Sequence, residues 1–250
     1  MTSTNPQQQT TTLPSALMDT EPSPAIPRTR LACLDMAGTL VADDGLVLQA
    51  FRAALDAAGL EGEHLDKALR YALATMGQAK LAVFEHLLGK PSLAAAAVEA
   101  FDAMVGQAVE SGRVSEITGA REALSELRSM DLGICLTTGF SPGLQATIIE
   151  HLGWGDLVDF SLAPGPGLRG RPYPDMVLAA MLRAQVDDVK EVGVVGDTAS
   201  DLWSGSRAGA AVVAGVLTGS HGRRELEAAP HTHIINSIAD FPALFSGEGL

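Results

Sequence analysis

Asp35, in the stretch LACLDMAGTLVADDG, is an acid delivered by an apolar run to a Gly-Thr turn. A carboxylate held there can approach a phosphorus atom closely and attack it. A turn or helix-capping aspartate would look the same in isolation. Two residues later, where phosphoryl-transferring sites often carry a second aspartate, the chain has Ala37. Either the site is impaired or its chemistry needs no second acid.

The stretch VVGDTASDL sets Asp197 and Asp201 four residues apart at a helix start. Paired carboxylates in that position suit a hard cation such as Mg²⁺ and its waters, although helix capping explains them equally well on their own. In CLTTGFSPG, the hydroxyl of Thr138 and the amide of Gly139 follow a strand and precede a helix, a place that can hold phosphate oxygens or simply cap the helix. Arg171, in GLRGRPYP, is fixed between prolines in an extended loop, where a guanidinium can neutralise a phosphoryl group or orient the nucleophile. Lys80 ends the stretch TMGQAK. Most lysines are solvated surface groups, but the Met76-Gly77 pair just before it suggests a helix start packed closely against a neighbour.

Other patterns carry less. GPGLRG fits the glycine fingerprint of dinucleotide sites, but Pro166 deletes an amide and Gly170 leads into Arg-Pro rather than a helix. His86, His151, His221, His231 and His233 show no metal-ligand spacing. Cys33 and Cys135 fall in apolar runs and read as buried reduced thiols.

Elements must bring these groups together. Residues 1–28 are rich in Thr, Gln, Ser and Pro and read as a disordered leader. RLACLD is a short apolar run ended by a turn, as in a buried parallel strand. From 46 to 113 the spacing is helical throughout, which predicts an inserted all-helical cap domain of three to five helices. The strands LGICLTT, LVDFSLA, EVGVVGD and AAVVAGVL then alternate with helices. The chain is therefore read as α/β, a Rossmann-like core of 29–45 and 114–250 with a parallel sheet and helices on both faces, interrupted by the cap at 46–113. Ligands bind beyond the carboxyl ends of such strands, where Asp35, Thr137, Thr138 and Asp197 all fall. Gly45 and Ser111-Gly112 are the expected hinges.

The net charge of −13 argues against a nucleic-acid or anionic-membrane partner. No apolar run is read as spanning a membrane and no signal-peptide pattern is seen, so the expected location is the cytoplasm.

Taken together, Asp35-Met-Ala-Gly-Thr, Thr138-Gly139, Arg171 and Gly196-Asp-Thr-Ala-Ser-Asp201 resemble the four signature motifs of the haloacid dehalogenase superfamily, over residues 30–245. Ala37, the cap stretch MGQAK, and GRPYP followed by GDTASD look like its phosphonoacetaldehyde hydrolase (phosphonatase) branch. That resemblance implies an imine between Lys80 and a substrate aldehyde, with Asp35 taking the phosphoryl group. It implies Mg²⁺ held by Asp35, the Ala37 carbonyl and Asp197, with Asp201 supporting the metal. Thr138 and Arg171 would contact phosphate or the nucleophile, and Met76, Gly77 and Gly139 would contact substrate. One position departs: where that branch carries a histidine three residues after the lysine, the chain has Val83.

Ala37 and Lys80 explain each other. A phosphate ester expels an alkoxide that needs a proton, hence the second acid in ordinary relatives. A C–P bond beside an imine instead expels a neutral enamine, and no acid is needed at 37. The expectation is a Mg²⁺-dependent hydrolase of a small phosphonoaldehyde. The alternatives are a phosphomonoesterase of the phosphoglycolate-phosphatase kind acting on a small phosphate substrate, or a non-catalytic phosphate sensor. A homodimer is left open.

Overall fold

The computed structural model describes Met1 and residues 28–245, so the expected leader lies almost wholly outside the described residues. Strand β1, Leu31–Asp35, is buried along its whole length, as an unbroken apolar run flanked on both sides requires. The further strands are β2 (Gly133–Thr137), β3 (Phe160–Leu162), β4 (Val192–Gly196), β5 (Val212–Val216) and β6 (His233–Ile235). They form one parallel six-stranded sheet in the order β3-β2-β1-β4-β5-β6. The winding direction reverses between β1 and β4, and there the loops leaving the two strands part to open a crevice. Asp35 ends β1, paired with Thr137 of β2, while Leu34 pairs with Val195 just before Asp197.

Four helices fill the interval between β1 and the β2 unit: α1 (Leu46–Ala57), α2 (Gly62–Ala74), α3 (Lys80–Leu88) and α4 (Pro91–Glu110). Pro91 opens α4 at a position where its missing N–H costs nothing. Phe51 of α1, Phe84 of α3 and Phe101 of α4 meet at ring-centroid distances of 5.2, 5.2 and 6.3 Å. Phe140, from the loop after β2, joins them 6.0 Å from Phe101. The helical insert and the sheet unit thus share an aromatic cluster, and one apolar core runs through both. The insert connects to the sheet unit at Gly45 and Gly112, both with positive φ (77° and 70°).

Helices α5 (Ala120–Ser129), α6 (Pro142–His151), α7 (Asp175–Arg183), α8 (Ala199–Ala208) and α9 (Arg223–Glu227) complete the alternation. Three details differ from the sequence reading. Strand β3 is shorter than LVDFSLA because the Asp159 carboxylate accepts from Ile134 N–H at 2.7 Å and takes the place of a strand-to-strand bond. The five-residue α9 was not expected. Finally, α4 is by length and composition apolar enough to cross a membrane, a 20-residue helix holding an 18-residue window of mean hydropathy 1.2. Its alanines raise that value, and its stripe of Ala94, Ala97, Phe101, Val105, Ala108 and Val109 is buried against neighbouring helices.

Candidate active site

Three strand ends, one long loop and the start of α3 enclose a single small cavity, lined among others by Asp35, Ala37, Lys80, Thr138, Gly139, Arg171 and Asp197. Met76 and Gly77 form its wall on the insert side. Of the residues singled out in the sequence, all but Asp201 border this space, and Asp201 lies directly behind it. The enclosed volume is about 20 Å³, enough for about one water molecule.

At the acidic end, the Asp35, Asp197 and Asp201 carboxylates each offer an oxygen within 4.8 Å of the others, and all three residues are buried. Arg171 spans two of them: its Nη1 donates to Asp35 Oδ1 at 2.5 Å and also to Asp201 Oδ1. Although burial opposes its charge, Asp201 and Asp35 hold this guanidinium firmly protonated. Its Nε, also buried, has no hydrogen-bond partner among the described residues. The other oxygen of Asp201 accepts from Thr198 N–H at 3.1 Å, closing the capping box of α8. The bland reading of Asp201 as a capping residue is therefore correct and incomplete, since the same carboxylate anchors Arg171.

Asp197 sits in a cradle of glycines. Its Oδ2 accepts from Ser220 N–H at 2.6 Å. A Cβ at Gly38 would lie 2.4 Å from that oxygen and one at Gly219 only 2.0 Å from it. Gly38 also turns through φ 84°, where other side chains are strained. Burial, then the neighbouring Asp35 and Asp201 charges, push the Asp197 carboxyl well above its ordinary range. Burial likewise raises Asp35 to about 6 despite Arg171. Three buried acids facing one guanidinium are short of positive charge, and a cluster of hard oxygens is the donor set a divalent cation such as Mg²⁺ takes. The residues present fit such an ion.

At the other end lies Lys80, only 5% exposed. Its Nζ stands 5.5, 5.8 and 5.3 Å from the ring centroids of Phe51, Phe101 and Phe140. Among the described residues its one hydrogen bond is a long one, 3.4 Å to the Gln78 carbonyl. Burial, followed by repulsion from Arg171, lowers its pKa to about 8, with Asp35, Asp43 and Asp197 partly opposing the shift. An amine in that range is a ready nucleophile near neutral pH.

The segment carrying Lys80 is fastened to the sheet unit at several points. Lys80 N–H donates to the Gly139 carbonyl at 3.0 Å, and Ser200 Oγ donates to the Met76 carbonyl at 3.0 Å. Missing side chains make the fit: a Cβ at Gly77 would meet Thr198 Oγ1 at 2.3 Å, and one at Gly139 would meet the Gln78 carbonyl at 2.3 Å. Val83, on the same helix as Lys80, is buried in the apolar core.

Sequence reasoning missed Asp43, Phe140, Thr198 and Ser220, which also border the cavity. Ser220 follows a glycine after β5, a signal available in principle. The aromatic surround of Lys80 had none, because its members, Phe51, Phe101 and Phe140, lie far apart in the chain.

The haloacid dehalogenase-like hydrolase family model matches residues 29–209. A phosphonoacetaldehyde hydrolase of Bacillus cytotoxicus is 34% identical over 105 residues, 42% of this chain and 39% of that protein, so the chain spans about two fifths of the length of the curated relatives it matches. Among solved structures, a phosphonoacetaldehyde hydrolase-like protein of Oleispira antarctica superposes with TM-score 0.74 at 21% identity, covering 88% of this chain and 92% of that one. A protein of Lactobacillus delbrueckii assigned as a phosphoglycolate phosphatase superposes with TM-score 0.71 at 17% identity, covering 89% and 100%. At these identities the two structures establish the fold alone.

Proposed function

From the premise that the chain belongs to the haloacid dehalogenase-like hydrolases, we propose that it cleaves the C–P bond of a small phosphonoaldehyde, phosphonoacetaldehyde or a close analogue. One observation carries this reading: a buried amine of lowered pKa, Lys80, shares a closed cavity with Asp35 and Arg171 while position 37 of that cavity is an alanine. The partial match to phosphonoacetaldehyde hydrolases supports the same substrate class.

The placement of the groups supports the following mechanism. Lys80 condenses with the aldehyde to give a protonated imine. Asp35 attacks phosphorus from the opposite end of the cavity. The C–P electron pair moves into the imine and leaves as a neutral enamine, which is why no acid is required at position 37. Arg171 compensates charge on the phosphoryl oxygens and holds the Asp35 carboxylate in the attacking position. Thr138 supplies a hydroxyl to the phosphoryl group. A Mg²⁺ ion held by Asp35, the Ala37 carbonyl and Asp197, with Asp201 behind, would supply the positive charge that lets an anionic phosphonate approach an anionic carboxylate. Met76, Gly77 and Gly139 shape the wall against the substrate. Because the cavity has room for little more than a water, substrate enters only when the 76–80 segment lifts from Gly139 and Ser200, with turning at Gly45 and Gly112. Closure then removes water while the imine persists.

The test is borohydride reduction in the presence of phosphonoacetaldehyde, followed by peptide mass analysis. A stable alkyl adduct on Lys80, and loss of turnover in Asp35→Asn, are expected. Turnover of phosphonoacetaldehyde with no adduct on Lys80 would overturn the imine. Phosphate release from phosphoglycolate, without any from the phosphonoaldehyde, would instead identify a phosphomonoesterase.

A further inference from the structure

The reaction just described leaves a proton to be accounted for. Condensation of a lysine amine with an aldehyde first gives a carbinolamine, whose hydroxyl must leave as water. That step needs an acid near Nζ, and the reverse step, in which water opens the imine, needs a base in the same place. Three carboxylates line the cavity: Asp35, Asp43 and Asp197. Asp35 is committed to phosphorus and Asp197 to the charge-poor acidic end, which leaves Asp43.

Asp43 lies in the loop between β1 and α1, half-buried, on the cavity wall it shares with Lys80, Val47 and Phe140. Its Oδ1 accepts from Val47 N–H at 2.8 Å and its carbonyl accepts from Leu46 N–H at 2.7 Å, so it secures the start of α1. Among the described residues its Oδ2 has no hydrogen-bond partner, so one oxygen serves the helix and the other is uncommitted. Burial raises the carboxyl pKa above its ordinary value, against the pull of Val47 N–H and of Lys80, with Asp44 adding to the rise. Lys80 and Asp43 each feel the other's charge. Asp102 of α4 also feels Lys80 and has one oxygen buried without a hydrogen-bond partner among the described residues, but it does not border the cavity.

We infer that Asp43 is the proton carrier of the Lys80 imine, an inference that rests on the imine reading above. The Lys80 nitrogen bonds to the aldehyde carbon and the former carbonyl oxygen becomes a hydroxyl. The Asp43 carboxylic acid then gives its proton to that hydroxyl. The C–O bond breaks, water leaves, and the nitrogen lone pair completes the C=N bond, giving a protonated imine beside an Asp43 carboxylate. After C–P cleavage the enamine carbon takes a proton from solvent, the Asp43 carboxylate takes a proton from the water that adds to the imine carbon, and the carbinolamine collapses to aldehyde and free Lys80.

The test separates this role from helix capping. Asp43→Asn keeps an oxygen for Val47 N–H but carries no transferable proton. In a borohydride-quench time course with phosphonoacetaldehyde, it is expected to form the Lys80 adduct about 100-fold more slowly than wild type and to lose kcat in proportion. Its thermal midpoint should stay near that of wild type. Asp43→Ala should show the same loss, partly restored by added formate, whereas Asp102→Asn should trap at the wild-type rate. An Asp43→Asn enzyme that traps Lys80 and turns over within about twofold of wild type would overturn the role of Asp43 and leave the imine standing, the expected effect being far larger. Loss in Asp102→Asn with Asp43→Asn intact would overturn it too. No adduct in the wild-type enzyme itself would overturn the imine and this inference together.

Discussion

The backbone N–H of Lys80 donates to the carbonyl of Gly139 at 3.0 Å, so a strand end of the sheet unit sets the position of an amine carried by the helical insert. The fit depends on Gly139 having no side chain. A Cβ there would lie 2.3 Å from the Gln78 carbonyl oxygen, a backbone atom that cannot swing aside. Gly139→Ala is therefore expected to unseat the 76–80 segment and reduce kcat/KM by about 100-fold, the effect of misplacing a reacting group by an ångström or so. Gly143→Ala, whose nearest neighbouring atom would be 4.0 Å away, is the matched control and should retain activity. Equal activity in the two variants would show that the contact does not position the amine.

Lys80 is held in its site at a cost to the fold. Its pKa is about 8 in the folded chain against 10.5 for the ordinary side chain, with burial the main cause. A base whose folded pKa is depressed binds fewer protons folded than unfolded between those two values. The penalty is thus fully present below about pH 8 and fades as the pH rises toward 10.5. Replacement by an apolar side chain of similar length, Lys80→Met, should abolish turnover and stabilise the protein by on the order of 3 kcal/mol at neutral pH. The gain should shrink in denaturant titrations above pH 9. Lower stability of Lys80→Met at pH 7 would contradict the assignment of a strained, desolvated amine. Trapping needs both the free Lys80 amine and the Asp43 acid, so its rate is expected to fall as pH rises above about 8, where the amine is already free and only the acid is still being lost.

Arg171 is the cation that pairs with Asp35 and Asp201, and its removal separates structural from catalytic electrostatics. Arg171→Met leaves Asp35 and Asp201 buried without their partner. Breaking a buried pair from one side costs about 3–5 kcal/mol, and turnover should fall by at least about 100-fold. The sign of the pH effect follows from the acids. Asp35 already titrates near 6 with the guanidinium beside it, and without it the carboxyl takes up a proton more readily still. The stability gap to wild type should therefore narrow as pH falls toward about 6, because above that value the variant's Asp35 is protonated in the folded chain while the wild-type carboxyl still ionises. Urea unfolding at pH 8 and pH 5 reads this directly, and a gap that widens in acid would refute it.

Much of this was legible in the sequence, and the part that was not has a physical reason. Strands β1, β2 and β4 announce themselves because both faces are buried and the residues before their polar ends are apolar or glycine. Asp35 and Asp197 stand out because each ends such a run before a turn. Arg171, 136 residues from Asp35, could be singled out only from the prolines around it, and nothing in the chain says that it also binds Asp201. The aromatic box around Lys80 is illegible for the same reason: Phe51, Phe101 and Phe140 look like ordinary core residues at helical spacing or after a strand. Asp43 hid within an acidic turn, where capping is a sufficient account of it. Helix α9, at five residues, is too short for periodicity to register.

The acidic end yields a prediction that does not depend on substrate. Asp35, Asp197 and Asp201 crowd within 4.8 Å, and burial, then the Asp35 and Asp201 charges, push the Asp197 carboxyl well above its ordinary range. Asp197→Asn preserves shape and an oxygen for Ser220 N–H while removing one negative charge. Without divalent ions the variant should melt above wild type, because a buried repulsion is gone. Added Mg²⁺ reverses the order: an ion bound only by the folded wild type at about 100-fold its dissociation constant stabilises by about 2.7 kcal/mol, and the variant, short of a ligand, should gain far less. Thermal melts with and without Mg²⁺ decide it. Equal Mg²⁺ shifts in the two proteins would mean that any ion bound by the chain sits elsewhere. A wild type that does not respond to Mg²⁺, combined with a stabilised variant, would mean that Asp197 serves only as a buried, protonated partner of the Ser220 amide.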